Sequence, residues 1–324
     1  MTMRLDDAPG GGLRLPALGT GTVVALAWIA LIAVSGLHRL DFLSHQTVLA
    51  VTFTMAIVGV LAVGQALVGV SGGVLDLSQP AALVATALVI ARLLAAGAPI
   101  AVAVAAAIVV GALWGLLNAL IIVFGKINPI IVTLATNFIG LAVLFLMFQV
   151  DQAPIASPLR SFGRGDFLGL PDIWWVMAAL VLIVGFFLPR TRYGRHAIAV
   201  GGNRFAAQTR GISLRKTRIA IFIASGVCSG VAGALFAASN GPFSPSGGAS
   251  FQLPVIAAVI LAGVSLAGGR GNVWLILPSV GFLSTVPTSL VFFGLSSNWQ
   301  AVFQGFILIV AVAIDGFRAK RVTR

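Results

Sequence analysis

The sequence contains no glutamate, one cysteine, one tyrosine and three histidines, and its eight acidic residues are all aspartates. The single cysteine, Cys228, lies in an apolar segment, which excludes an intrachain disulfide and a thiolate metal site. Only 9% of residues are charged, against about 25% in soluble globular proteins, while 59% are hydrophobic and the mean hydropathy is +1.08. Such a chain belongs in a bilayer. Its net charge of +12 does not point to nucleic acid, because the cations sit in loops between apolar segments instead of forming a stripe with interleaved aromatics.

The absences continue at the level of motifs. Gly125-Lys126 is followed by Ile127 and lacks the earlier glycine of a phosphate-binding loop. The one Gly-x-Ser-x-Gly match, at 69–73, follows a long apolar segment and is no strand-to-helix elbow, the apolar segments hold no paired carboxylates, and there is no His-Glu-x-x-His, so the chain offers no catalytic residues, no metal site and no cofactor site, and is expected not to be an enzyme. Asp76 is the only acidic residue close to the interior of an apolar segment, and His38, His45 and His196 lie at segment ends or in loops. Ion-driven carriers need ionisable relays within the membrane. An ion-coupled carrier or a passive channel is therefore poorly supplied, and energy is expected to enter from outside the chain.

About 17 to 25 apolar residues cross the roughly 30 Å hydrocarbon core as a helix. That length predicts an all-α polytopic membrane protein with about ten transmembrane helices, at 20–37, 47–70, 80–96, 98–124, 129–150, 173–189, 218–239, 251–268, 272–293 and 297–316. Gly97, Ala98 and Pro99 alone mark the turn between the third and fourth. Residues 1–19 are too long and too neutral for the n-region of a signal peptide, so the first span is read as retained. Placing both termini in the cytoplasm puts 16 of the 20 cationic residues inside, leaving Arg39, Arg92, Arg160 and Arg164 outside. In this arrangement 1–19 is a cytoplasmic segment, 20–316 the membrane domain, 151–172 the largest outer loop and 317–324 a basic cytoplasmic tail.

The cytoplasmic loop 190–217 is the chain's polar island. With its flanks it holds Arg190, Arg192, Arg195, Arg204, Arg210, Arg215, Lys216 and Arg218, without one acidic residue. A cationic, partly helical loop on the inner face reads as a docking surface. Within the spans, Gly226, Gly230 and Gly233 fall near one helical face, where small side chains let helices approach closely.

Two glycine-rich breaks, at 69–80 and 263–272, both begin Gly-Val-Ser and both precede an apolar span. They suggest an internal repeat with broken helices bordering the pathway. In the first, Asp76 or Ser78 can cap the next helix, with Pro80 near its first turn. Asn118, Thr133, Thr136, Asn137 and Gln149 are the polar side chains of the central spans, Thr133 and Asn137 lying on one helical face. A neutral polar lining suits a hydroxyl-rich, uncharged solute; hydrogen bonding between helices is the alternative.

These residues resemble a known family, the permease subunits of ATP-binding-cassette importers for monosaccharides of the ribose, xylose, arabinose and galactose type. The resemblance covers nearly the whole chain after residue 45 and rests on five stretches in order. They are Asp76-Leu77-Ser78, residues 128–134 (NPIIVTL), 199–207 (AVGGNRFAA) with Arg210-Gly211-Ile212, 256–271 (IAAVILAGVSLAGGRG) and 294–300 (GLSSNWQ). The resemblance implies cytoplasmic ATPase subunits that bind ATP and magnesium, a periplasmic solute-binding protein, a second permease copy or paralogue, and a bacterial inner membrane. It also implies that Gly201, Gly202, Asn203, Phe205, Ala206, Ala207, Arg210 and Gly211 form the element that couples to the ATPase. Asp76, Ser78, Asn118, Thr133, Thr136, Asn137 and Gln252 become candidates for the translocation pathway. The chain departs from the pattern at Gly73-Val74, at Gln252 and Pro254 where an acidic pair is usual, and around Pro287-Thr288-Ser289. The solute is thus open between a monosaccharide and a nucleoside, polyol or sugar-derived signal, and the permease pair between identical and non-identical subunits.

Overall fold

The computed structural model describes residues 20–72, 75–147, 158–239, 245–265 and 267–322. The expected segment 1–19, residues 73–74, the outer loop from 151 to 157 and the tail end 323–324 lie outside them.

Among the described residues the regular structure is helical, apart from one hairpin of the two-residue strands β1 (Asp166–Phe167) and β2 (Leu170–Pro171). In order run α1 (Thr20–His38), α2 (His45–Val70), α3 (Gln79–Ala95), α4 (Ile100–Gly125), α5 (Pro129–Met147), the short α6 (Pro158–Arg164) and α7 (Asp172–Arg190). Then follow α8 (Arg192–Gly202), α9 (Arg204–Thr209), α10 (Leu214–Ser239), α11 (Pro245–Ala249), α12 (Gln252–Leu261), α13 (Ile276–Phe292) and α14 (Ser297–Val322).

Seven helices among the described residues are long and apolar enough to cross a membrane: α1, α2, α4, α5, α7, α10 and the stretch Val273–Phe292. The other three expected spans coincide with shorter apolar helices, Gln79–Ala95, Gly247–Leu261 and Asn298–Val310. The tight turn between the third and fourth segments is made as its residues demand. Gly97 takes a left-handed φ of 80°, and Pro99 starts α4 in extended conformation.

The centre of the bundle is α2, α3 and α10, with α4, α5, α7 and α13 around them. The outer helices are two-faced in a sense opposite to soluble helices. On α7, Ile173, Met177, Val181 and Gly185 are buried at four-residue spacing, while Leu182, Phe186 and Phe187 are exposed and equally apolar. Only a lipid surround makes both faces acceptable.

The small-residue stripe packs as its spacing predicts, against two partners. A Cβ on Gly226 would overlap the carbonyl oxygen of Gly111 on α4, whereas one on Gly233 would overlap Thr86 Oγ1 on α3. Gly226→Ala is accordingly expected to cost about 1–3 kcal/mol, because a backbone in direct contact cannot rotate away as a side chain can. Thermal unfolding of the purified variant in mild detergent reads the loss. A melting temperature equal to the wild type would show that the two helices separate freely.

The expected alternation of loops between two ends has a geometric counterpart. At one end, His45 Nε2 meets Asp166 Oδ2 at 2.6 Å and His38 stacks on Phe293 at 4.6 Å. At the other end, residues 69–72, 201–204 and 268–271 meet one another. Loops assigned to one side of the membrane share one end of the molecule.

Candidate functional site

The first glycine-rich break is a re-entry. α2 ends with Ser71 Oγ donating to Val68 O at 2.8 Å, and the chain then turns back into the bundle. Asp76 N reaches Gln65 Oε1 at 3.2 Å, and Gln79 Nε2 reaches Leu61 O at 3.1 Å. α3 therefore begins well inside the structure, alongside the middle of α2. Non-helical backbone at membrane depth is tolerated only when protein surrounds it; Asp76 and Ser78 are both buried.

Around the re-entry the side chains form one hydrogen-bonded cluster. Asp76 Oδ1 accepts from Ser78 N at 3.0 Å and from Ser78 Oγ at 2.6 Å, and Asp76 Oδ2 accepts from Ser225 Oγ at 2.8 Å. Asn118 Nδ2 donates to Ser78 Oγ at 2.7 Å, and Thr136 Oγ1 donates to Asn118 Oδ1 at 2.8 Å. Gln79 Nε2 also donates to Ser225 Oγ at 3.2 Å. The cluster ties α2, α3, α4, α5 and α10 together.

Five of the seven pathway candidates thus meet at the re-entry: Asp76, Ser78, Asn118 and Thr136 in one chain of bonds, and Asn137 beside them. Asn137 Oδ1 accepts from Ala81 N at 3.1 Å and so caps α3 from another helix. This corrects the expected local cap, since neither Asp76 nor Ser78 bonds the first turn of α3 through its side chain. Thr133 turns onto its own helix, donating to Pro129 O at 2.9 Å. Gln252 borders a crevice shared with Gln65, Asp76 and Gln79 that has no room for a water molecule.

Gln65 and Ser225 are members that sequence reasoning missed. Gln65 was visible as the one amide in the stretch of α2 that follows Thr54, and its Nε2 is buried with no partner. Ser225 was hidden inside the small-residue stripe.

The second assembly is the loop after α7. Asn203 breaks the helix in extended conformation and caps α9, its Oδ1 accepting from Ala206 N at 2.9 Å. Gly211 closes the turn at φ 77°, with Ile212 N donating to Ala207 O at 3.0 Å. Phe205 is 77% exposed and Ala206 and Arg210 are also exposed, whereas Ala207, at 3%, faces the chain itself.

The glycines seat this element on both breaks at once. A Cβ on Gly201 would overlap the carbonyl oxygen of Val70 at the end of α2. Gly269, at φ 73°, lies against Gly202 and donates its N–H to that same Val70 oxygen at 2.8 Å. Arg204 Nη2 donates to Gly72 O at 3.1 Å. The two Gly-Val-Ser tripeptides are not conformational equivalents, since Gly69 lies in the last turn of α2 while Gly263 follows α12 at φ 76°. The breaks converge, and α9 sits at their junction.

The profile of the family described as branched-chain amino acid transport system / permease component matches residues 47–312. The chain is 33% identical over 295 residues to the ribose import permease protein RbsC of Bacillus subtilis, covering 89% of this chain and 90% of the relative. It is 29% identical to the protein of that name in Haemophilus influenzae, covering 90% and 92%. The L-arabinose ABC transporter permease protein AraH of Azospirillum brasilense is 29% identical over 91% of this chain and 87% of its own length. No solved structure matches the chain.

Proposed function

The chain belongs to the branched-chain amino acid transport system permease component family, and from that premise we propose that it is the membrane permease of an ATP-binding-cassette importer for a monosaccharide. In this reading it crosses the bacterial inner membrane ten times with both termini in the cytoplasm. It pairs with a second permease, receives its sugar from a periplasmic binding protein, and is driven by ATP and magnesium on separate ATPase subunits. The choice of sugar follows the relatives named for ribose import and arabinose transport, not the family's title.

The observation that carries the proposal is the seat of α9. An exposed aromatic on a short capped helix, ringed by arginines, fits a groove with acidic edges on a soluble partner. Directly beneath it are the ends of α2 and of the loop after α12. A push on α9 would act through Arg204 on Gly72 and through Gly201 on Val70. From there the segment 72–78 leads to Asp76 and its cluster, whose bonds would have to exchange for the pathway to open. The unpartnered Nε2 of Gln65 then offers a donor to a sugar hydroxyl passing through the crevice.

Reconstitution tests this reading. Proteoliposomes holding the permease and its ATPase, with the binding protein outside the permease face, are expected to accumulate labelled ribose, arabinose, xylose or galactose only with Mg-ATP and binding protein both present. Accumulation by the permease alone under an ion gradient would overturn the proposal. A binding protein that takes a nucleoside or polyol in preference would move the substrate and keep the machine.

A further inference from the structure

Where α7 gives way to α8, a cavity of about 260 Å³ lies between these helices, α10 and the later part of α2. Leu67, Leu188, Ile221 and Ala224 make its apolar floor. Ile183 and Phe187, also in its wall, remain 53% and 51% exposed on the apolar outer surface of α7, so the cavity opens sideways toward lipid. Its other end, at Thr191 and Tyr193, is polar.

Arginines flank that polar end in the sequence without lining the cavity itself. Arg190 closes α7 with its guanidinium 4.0 Å over the Phe186 ring and 3.0 Å from Phe186 O, at the level where the apolar span stops. Arg192 and Arg195 follow on the first turn of the 11-residue α8, both exposed. The helix start adds its own partial positive charge. No acidic residue occurs between Asp172 and Asp315, and the one ion pair among the described residues is at the opposite end of the molecule. An apolar groove open to the bilayer, with uncompensated arginines flanking its polar end, has the two-part chemistry of a single ligand class.

We propose that this groove binds one anionic phospholipid, with an acyl chain between α7 and α10 and the phosphate at Arg190, Arg192, Arg195 and the start of α8. The site does not depend on the importer reading. A lipid seated there braces α8 against α7 and α10, and thereby the helix that carries α9.

The test is native mass spectrometry on the full chain, purified in mild detergent and exchanged into phosphatidylglycerol or phosphatidylcholine with identical acyl chains. One phosphatidylglycerol per chain is expected to be retained at least tenfold better than phosphatidylcholine. The triple variant Arg190→Gln, Arg192→Gln, Arg195→Gln is expected to lose that preference; these side chains are exposed, so its melting temperature serves as the folding control. Ala224→Phe, which fills the groove and leaves the arginines in place, is expected to lower retention of both lipids. Equal retention of the two lipids by the wild type, or an unchanged preference in the triple variant, would overturn the proposal. So would complete displacement of the lipid by inorganic phosphate, which would assign the rim to a soluble anion.

Discussion

Replacing Phe205 and Ala206 together by glutamate is expected to reduce ATP-driven uptake to background while the isolated permease melts within a few degrees of the wild type. Both side chains project from α9 and touch little of their own chain, and exposed substitutions of this kind usually change stability by no more than about 0.5 kcal/mol. On the proposed reading of α9, their cost falls on docking. Losing a central aromatic anchor removes about 2–4 kcal/mol of binding, and two carboxylates against an acidic groove add repulsion, so ATPase recruitment should fall at least thirtyfold. Ala207→Glu is a poor probe by comparison, because Ala207 is buried and a charge there damages α9 itself. The measurement is uptake in proteoliposomes together with co-purification of the ATPase. Full uptake by a well-folded double variant would remove α9 from the coupling path.

How far these features could be read in the sequence depended on how local their causes are. The ends of α1, α2, α4 and α7 follow from apolar length, and those of α9 from Asn203 as a cap and Gly211 as a left-handed stop. Depth in the membrane is a different matter. The 17-residue α3 carries the composition of a span, yet it starts beside the middle of α2, because the chain re-enters before the helix begins. Hydropathy does not record where in the bilayer a helix starts. Partners distant in sequence were hidden for the same reason: Asp76 meets Ser225 across 149 positions, and α3 is capped by Asn137 from α5. The pattern showed that Asn118, Thr136 and Asn137 are polar residues among apolar ones. It did not show that they are joined to the break at Asp76, which depends on how α3, α4 and α5 meet.

The cluster at Asp76 makes the second large effect predictable. Asp76→Ala removes the acceptor of three bonds, from Ser78 N, Ser78 Oγ and Ser225 Oγ, within the buried cluster. Each buried donor left unpaired costs about 1–3 kcal/mol, so a loss of about 3 kcal/mol or more is expected, with a lower melting temperature and little or no uptake. Asp76→Asn separates geometry from charge. Its Oδ1 keeps both bonds from Ser78, and its Nδ2 can donate to Ser225 Oγ, which has a second lone pair beside the one taken by Gln79. If the residue acts by holding the re-entry against α4 and α10, the asparagine variant, which gives up only the bond donated by Ser225 Oγ, should lose much less stability than the alanine variant and retain most of its uptake. An asparagine variant that folds normally but transports nothing would show that the carboxylate itself takes part in the cycle, and the clamp would then be only half of its role.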